Sequence, residues 1–145
     1  MNLNGEWKLY YYPAYEQNIN TVAELKAADI PFIPATVPGN VELDLSAAGI
    51  LPKDLYMGEN ILQAEAYEGY EWWYERSFIA PEERERVFLV FEGVDTVAEY
   101  FLNGEKIGRS RGGYFSAYVD LKQGANTFTL EQDGVKVTHT IYRGT

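Results

Sequence analysis

The side chains most often used for catalysis and metal binding are scarce in this sequence. It contains no cysteine, which removes disulfides, thiol nucleophiles and thiolate metal sites together. Its one histidine, His139, leaves no His-based zinc site and no Ser-His-Asp triad to assemble. Oxygen ligands are plentiful, with 22 Asp and Glu, but no DxDxDG-like loop arranges them for Ca²⁺. No metal and no cofactor is expected. Aromatic rings are the abundant resource: 12 Tyr, 7 Phe and 3 Trp. The pair Trp72-Trp73 has two meanings. A flat indole face stacks on the C–H face of a pyranose, but strand neighbours point to opposite faces, so only one of the two can face a given site. The plainer reading buries one in the core and sets the other under a loop or against a neighbouring domain. Tyr67, Tyr70, Tyr114, Phe115 and Tyr118, all near expected loops, carry the same ambiguity between sugar stacking and interface packing.

Charge narrows the partners. A formal net charge of −10 and a pI near 4.5 oppose a nucleic-acid backbone or an anionic membrane surface, both of which require clustered Lys and Arg. No apolar run approaches the roughly 20 residues that a bilayer span needs. The first residues, Met1-Asn2-Leu3-Asn4-Gly5-Glu6-Trp7, lack the basic and apolar regions of a signal peptide. The expected compartment is the cytoplasm if Met1 is the natural start.

The elements that would position these residues are mostly short strands. Residues 5–12 alternate, with Trp7, Leu9 and Tyr11 on one face and Lys8 and Tyr10 on the other, and Pro13 ends the strand. Thr21 and Glu24 have capping-box spacing for a short helix over 22–28. The three prolines of 30–39 read as extended loop. Asn40 is placed to cap a second helix over 41–48, closed by Gly49. Residues 50–69 show no strong period, and irregular segments of that length are functional or packed over a core. From Tyr70, alternation predicts a strand through Phe78 that Pro81 closes, then a solvated charged turn at 82–86. A strand over 86–91 is expected to be buried on both sides. Residues 97–102 lead into Asn103-Gly104, a type I′ hairpin signal, with 105–108 returning. A strand at 114–121 and an Asp133-Gly134 hairpin joining 126–132 to 135–142 complete the pattern. Many short strands with turns every eight to twelve residues predict one all-β domain over 1–145, a sandwich or jelly roll with one or two short helices.

Several residues read as scaffold. Trp72 and Tyr74 belong to the expected core strand. Arg76 is expected to stack on rings and pair with Glu92 or Asp95. Asp95, after Gly93-Val94, reads as a turn residue. Asn103 and Gly104 supply positive φ angles. Arg109 and Arg111, beside Gly112-Gly113, read as a basic loop.

Four segments then occur in order: Pro34-Ala35-Thr36-Val37-Pro38-Gly39-Asn40; Tyr70-Glu71-Trp72-Trp73-Tyr74-Glu75-Arg76-Ser77-Phe78; Phe91-Glu92-Gly93-Val94-Asp95-Thr96; and Phe101-Leu102-Asn103-Gly104-Glu105-Lys106-Ile107-Gly108. With Leu3-Asn4-Gly5-Glu6-Trp7 ahead of them, this succession resembles the N-terminal domain of family 2 glycoside hydrolases, the group of β-galactosidases, β-mannosidases and β-glucuronidases. The resemblance spans residues 3 to 121. It implies a galactose-binding-like jelly roll that shapes a substrate pocket and packs on a catalytic barrel, with the catalytic glutamates on that barrel. Its expected partners are carbohydrate and the other domains of a parent glycosidase. By the same resemblance Asn60 is the leading substrate-facing residue, since an amide can both donate to and accept from a sugar hydroxyl. Trp73 and Tyr70 stand beside it as candidates. Retaining hydrolysis needs two carboxyl groups about 5–5.5 Å apart on rigid supports. Glu82, Glu83 and Glu85 fall in a charged turn, and Glu92, Asp95 and Glu99 on scaffold strands, so no catalytic residue is assigned. A free-standing carbohydrate-binding module and a scaffold domain without a sugar site are the alternatives.

Overall fold

The structure is a computed structural model. It describes residues 1–79, 88–95 and 97–111 in full, and the backbone of 117–120, 124–132 and 135–143. Two compact units divide the chain, Met1–Ile79 and Ala80–Thr145.

The first unit is built on a three-stranded antiparallel sheet whose central strand is β1, Gly5–Pro13. Its flanking strands are β2, Phe32–Val37, and β3, Tyr70–Glu75. Alternation along β1 feeds two cores, one on each face. Tyr10 and Tyr12 join Ile19 and Leu25 on one side, with Ile30 and Trp73 packed against them. Tyr11 turns the other way, toward Leu45, Leu51 and Leu55, beside Trp72 and Tyr67. The register explains the division, since Tyr10 lies opposite Trp73 and Tyr11 opposite Trp72. Leu9, at the centre of the middle strand, is completely buried.

Helix α1, Val22–Ala27, supplies Leu25 to the first of these cores. The expected capping box is present: Thr21 Oγ1 accepts from the Glu24 amide at 3.1 Å, and Glu24 Oε2 accepts from the Thr21 amide at 3.2 Å. Helix α2, Val41–Ala47, starts at Asn40, whose Oδ1 accepts from the Leu43 amide at 2.9 Å. Two expectations fail in this unit. Residues 32–37 form a strand, not a loop, because β2 lies at the sheet edge, where Pro34 opposite Lys8 can lack an N–H. The segment before Tyr70 is also not wholly irregular, for Asn60–Tyr67 forms a 3-10 helix. That helix has no side-chain N-cap and buries none of its residues completely, so it leaves little periodic signal.

In the second unit, β4 is Phe88–Phe91, β5 is Val97–Leu102 and β6 is Glu105–Arg111. Strands β7, β8 and β9 are Ala117–Asp120, Gly124–Gln132 and Val135–Arg143. Order β4-β7-β8-β9 makes one sheet, and β5-β6 makes a separate ribbon. The Asn103-Gly104 turn has φ of 50° and 83°, as a type I′ hairpin requires. Tyr100 and Ile107 form a core with Leu89, Phe91, Val94, Ala98 and Leu102. The Phe91 and Tyr100 rings lie 4.1 Å apart between centroids, and the buried Tyr100 hydroxyl shares a 2.8 Å hydrogen bond with Ser110 Oγ.

Two more expectations are corrected here. Strand β4 is not buried on both faces: Leu89 and Phe91 face the core, while Phe88 and Val90 are 48% and 45% exposed. Its alternation therefore sorts residues of similar hydropathy into inside and outside. Arg109 and Arg111 do not form a loop either. They lie on β6 opposite Glu99 and Val97, because ladder pairing carries this strand beyond Gly108. Pro81, the 82–86 turn, residues 86 and 87, Thr96, Gly112-Gly113, residues 114–116, Leu121 and the Asp133-Gly134 turn lie outside the described residues, as do the side chains of Tyr118 and His139. The chain is mainly β with short helices, in sheets of three, four and two strands. Among the described residues no helix is long and apolar enough to cross a membrane.

Candidate functional site

Strand alternation puts Tyr70 and Trp72 on the same face of β3, and β1 adds Tyr11 from the neighbouring position. The Tyr11 ring stacks on Trp72 with centroids 5.4 Å apart and planes 24° apart. Tyr67, from the last turn of the 3-10 helix, lies 5.1 Å from Tyr70 and 6.2 Å from Tyr11. These rings sit beside a cleft of about 200 Å³, whose walls include Tyr67, Tyr70 and Trp72 with Leu45, Glu42 and Glu68. Helix α2 sends Glu42 and Leu45 to the same cleft because residues three apart share a helical face. Burial raises the Tyr11 hydroxyl pKa, and the neighbouring Tyr67 and Tyr70 add to the rise. Tyr11 is therefore a neutral donor at physiological pH. The chemistry on offer is a flat apolar surface with carboxylate acceptors at its margin, which suits a neutral polyol better than an anion.

The three substrate-facing candidates do not converge. Tyr70 lines the cleft. Trp73 lies on the opposite face of β3, against the Tyr10 and Tyr12 core, and its Nε1 donates to the Tyr12 hydroxyl at 2.9 Å. That hydroxyl in turn donates to Glu71 Oε2 at 2.7 Å. Its pKa is pushed up to about 12, first by burial and then by the hydrogen bond to Glu71. Trp72, read as scaffold, is the tryptophan on the cleft side. Asn60 opens the 3-10 helix and donates from Nδ2 to the Asp54 carbonyl at 3.0 Å, a turn-stabilising bond. It is not among the residues that line the cleft.

The scaffold residues have identifiable contacts. Arg76 donates from Nη1 to the carbonyls of Leu3 and Asn4, both at 2.8 Å, and so ties the N-terminal segment to the end of β3. Its expected partners Glu92 and Asp95 belong to the other unit. Asp95 is exposed in the loop that follows Gly93. Tyr74 projects toward α2, where burial and the carboxylates of Asp44 and Glu42 raise its pKa.

Sequence reasoning passed over Asp44, Glu42 and Glu68. The sequence signal for Glu42 was its place one turn before Leu45 on α2. Glu68 lies in the connection before β3, where nothing in the pattern marks it. Among the described residues no group of three or more His, Asp or Glu side chains could hold a metal ion.

Comparison with known proteins agrees with the order of motifs. Residues 16–141 match the family described as glycosyl hydrolase 2 galactose-binding domain-like. The chain belongs to this family, which implies a β-sandwich. The match includes the β8-β9 hairpin, beyond the 3–121 span of the resemblance. A probable beta-mannosidase of Caenorhabditis elegans is 34% identical over 102 residues, 66% of this chain and 11% of that protein. Beta-mannosidase B of Thermothelomyces thermophilus is 38% identical over 90 residues, covering 58% and 10%. The Mus musculus beta-mannosidase is 33% identical over 136 residues, covering 90% and 14%. The chain thus spans between a tenth and a seventh of the length of these relatives. No solved structure matches it.

Proposed function

We propose that this chain is the non-catalytic, N-terminal sugar-binding-type domain of a family 2 glycosidase that acts on β-mannosides. In this reading residues 1–145 close as one galactose-binding-like jelly roll. The domain shapes the wall of the substrate pocket and packs on the catalytic barrel of the parent enzyme. One observation carries the proposal: the family match covers most of the chain, while the beta-mannosidases it resembles continue for several times its length. The aromatic cleft supports the sugar-facing part. Tyr67, Tyr70 and Trp72 provide C–H stacking surface, and Glu42 and Glu68 can accept from hydroxyls. The carboxylates also place negative charge where a uronic acid would bring its own, so neutral sugars are favoured over glucuronides.

The purified chain is expected to release no chromophore from a chromogenic β-mannoside. Hydrolysis that disappears when one of the chain's own acids is neutralised overturns the assignment. Joining the chain to the remainder of its parent enzyme is expected to give a β-mannosidase whose KM rises when Tyr70 or Trp72 is replaced by Ala. An unchanged KM removes the cleft from the substrate pocket.

A further inference from the structure

Among the described residues, Asp44 is a buried acid that the proposed function does not use. It sits on α2 between the cleft residues Glu42 and Leu45, with 5% of its surface exposed. Its Oδ1 accepts from the Thr36 amide at 2.9 Å, a donor on the edge strand β2. Its Oδ2 is buried and has no hydrogen-bond partner. The Tyr74 hydroxyl interacts with the carboxylate from β3 without closing a bond to Oδ2. Glu42 acts on the same tyrosine from α2. Among the described residues, the groups that act on the Asp44 carboxylate are the Thr36 N–H and the Tyr74 hydroxyl, and burial outweighs both.

A buried oxygen without a donor costs far more as part of a carboxylate than as part of a neutral carboxyl. Adding a proton changes the outcome, because the orphaned Oδ2 then carries no charge into its dry surroundings. We propose that Asp44 is a positioning residue, a proton-operated clasp that fastens α2 to β2 and β3 and so sets one wall of the aromatic cleft. In its ionised form Thr36 and Tyr74 both hold the carboxylate, but Oδ2 stays charged, buried and unpartnered; in its protonated form the clasp keeps its hold without that buried charge. Burial raises the Asp44 pKa, and the Thr36 and Tyr74 contacts oppose that rise only in part.

The sign follows from linkage. A carboxyl whose folded pKa exceeds its unfolded one binds more protons in the native state, so its contribution to stability falls as pH rises through the folded value. Asp44→Asn is the matched neutral variant. It keeps an acceptor for Thr36 and replaces the orphaned oxygen with an N–H donor. Only the cleft's sugar role rests on the function proposed above; the clasp can be measured without any ligand.

The test records thermal unfolding of the full chain and of Asp44→Asn between pH 5 and pH 8, together with the ¹³Cγ titration of Asp44 by NMR. At pH 8 the Asn variant is expected to melt above the native chain, with the gap narrowing by about 2–4 °C toward pH 5. The ¹³Cγ midpoint is expected above that of an ordinary aspartate, and Tyr74→Phe moves it higher still. A melting gap independent of pH, or an ordinary midpoint, overturns the clasp. A midpoint unmoved by Tyr74→Phe overturns the Tyr74 attachment. Should the Asn variant fail to fold, the native titration and Tyr74→Phe decide the question. If the clasp holds but β-mannosides produce no heat on titration at either pH, the cleft's sugar role fails and the clasp stands.

Discussion

Gly39 shows how a single missing side chain can set a local fold. A Cβ at this position would lie 2.4 Å from the Thr36 carbonyl oxygen, a backbone atom that cannot swing aside. The chain must pass that close because β2 ends at Val37 and α2 starts at Val41, with Asn40 capping the helix between them. Gly39→Ala is expected to destabilise the chain by about 1–3 kcal/mol, in line with other overpacked sites, and urea denaturation measures it. The ion pairs of Glu75 behave differently. Lys26 bonds to this carboxylate, and Lys8 lies 3.8 Å from it, but half of each lysine side chain is in water. Glu75→Gln is expected to cost no more than about 1 kcal/mol, and the same denaturation experiment separates it clearly from Gly39→Ala. Charge contributes little here, whereas backbone proximity contributes a great deal.

Helix α1 depends on its cap, since six residues are too few to hold a helix by propensity. Thr21→Ala removes the acceptor for the Glu24 amide and is expected to cost about 1 kcal/mol. The loss should appear as faster amide exchange at Leu25, whose N–H donates to the Thr21 carbonyl, while the β5-β6 hairpin remains protected. That hairpin was legible because Asn103-Gly104 tolerates the left-handed angles of its turn. Strand β2 was not legible. Its three-proline neighbourhood argues for a loop in any account based on local preference, and only its place at an edge makes Pro34 acceptable. The 3-10 helix was missed for a related reason. It stands over the Leu45 core through Ala64 and Tyr67 alone, too few residues to write a period.

Several large apolar side chains of the first unit stand in water. Tyr56 and Met57, just before the 3-10 helix, and Leu62, within it, are 73%, 67% and 52% exposed. Exposure of this kind is expected of a domain that packs on a larger enzyme. The isolated chain should therefore self-associate or bind a hydrophobic dye. The double variant Met57→Lys, Leu62→Glu should suppress both, with a change in stability of about 0.5 kcal/mol or less. Sedimentation and dye fluorescence check this, and unaltered self-association would place the sticky surface elsewhere.

Motif order by itself supplied the resemblance to the family, and composition and local pattern supplied the mainly β character, both helix caps and the Asn103-Gly104 turn. Each of these depends on a residue's own conformational preference or on neighbours a few positions away. The role of each tryptophan came from the fold. Trp72 and Trp73 are chemically identical and adjacent, and nothing local says which one meets α2 and the 3-10 helix. The β1-β3 register decides it, because a shift of one residue would exchange the two faces. Asp44 was invisible for the same reason. On a short amphipathic helix it reads as a solvated acid, and only the packing of α2 across β2 and β3 removes the water from around it.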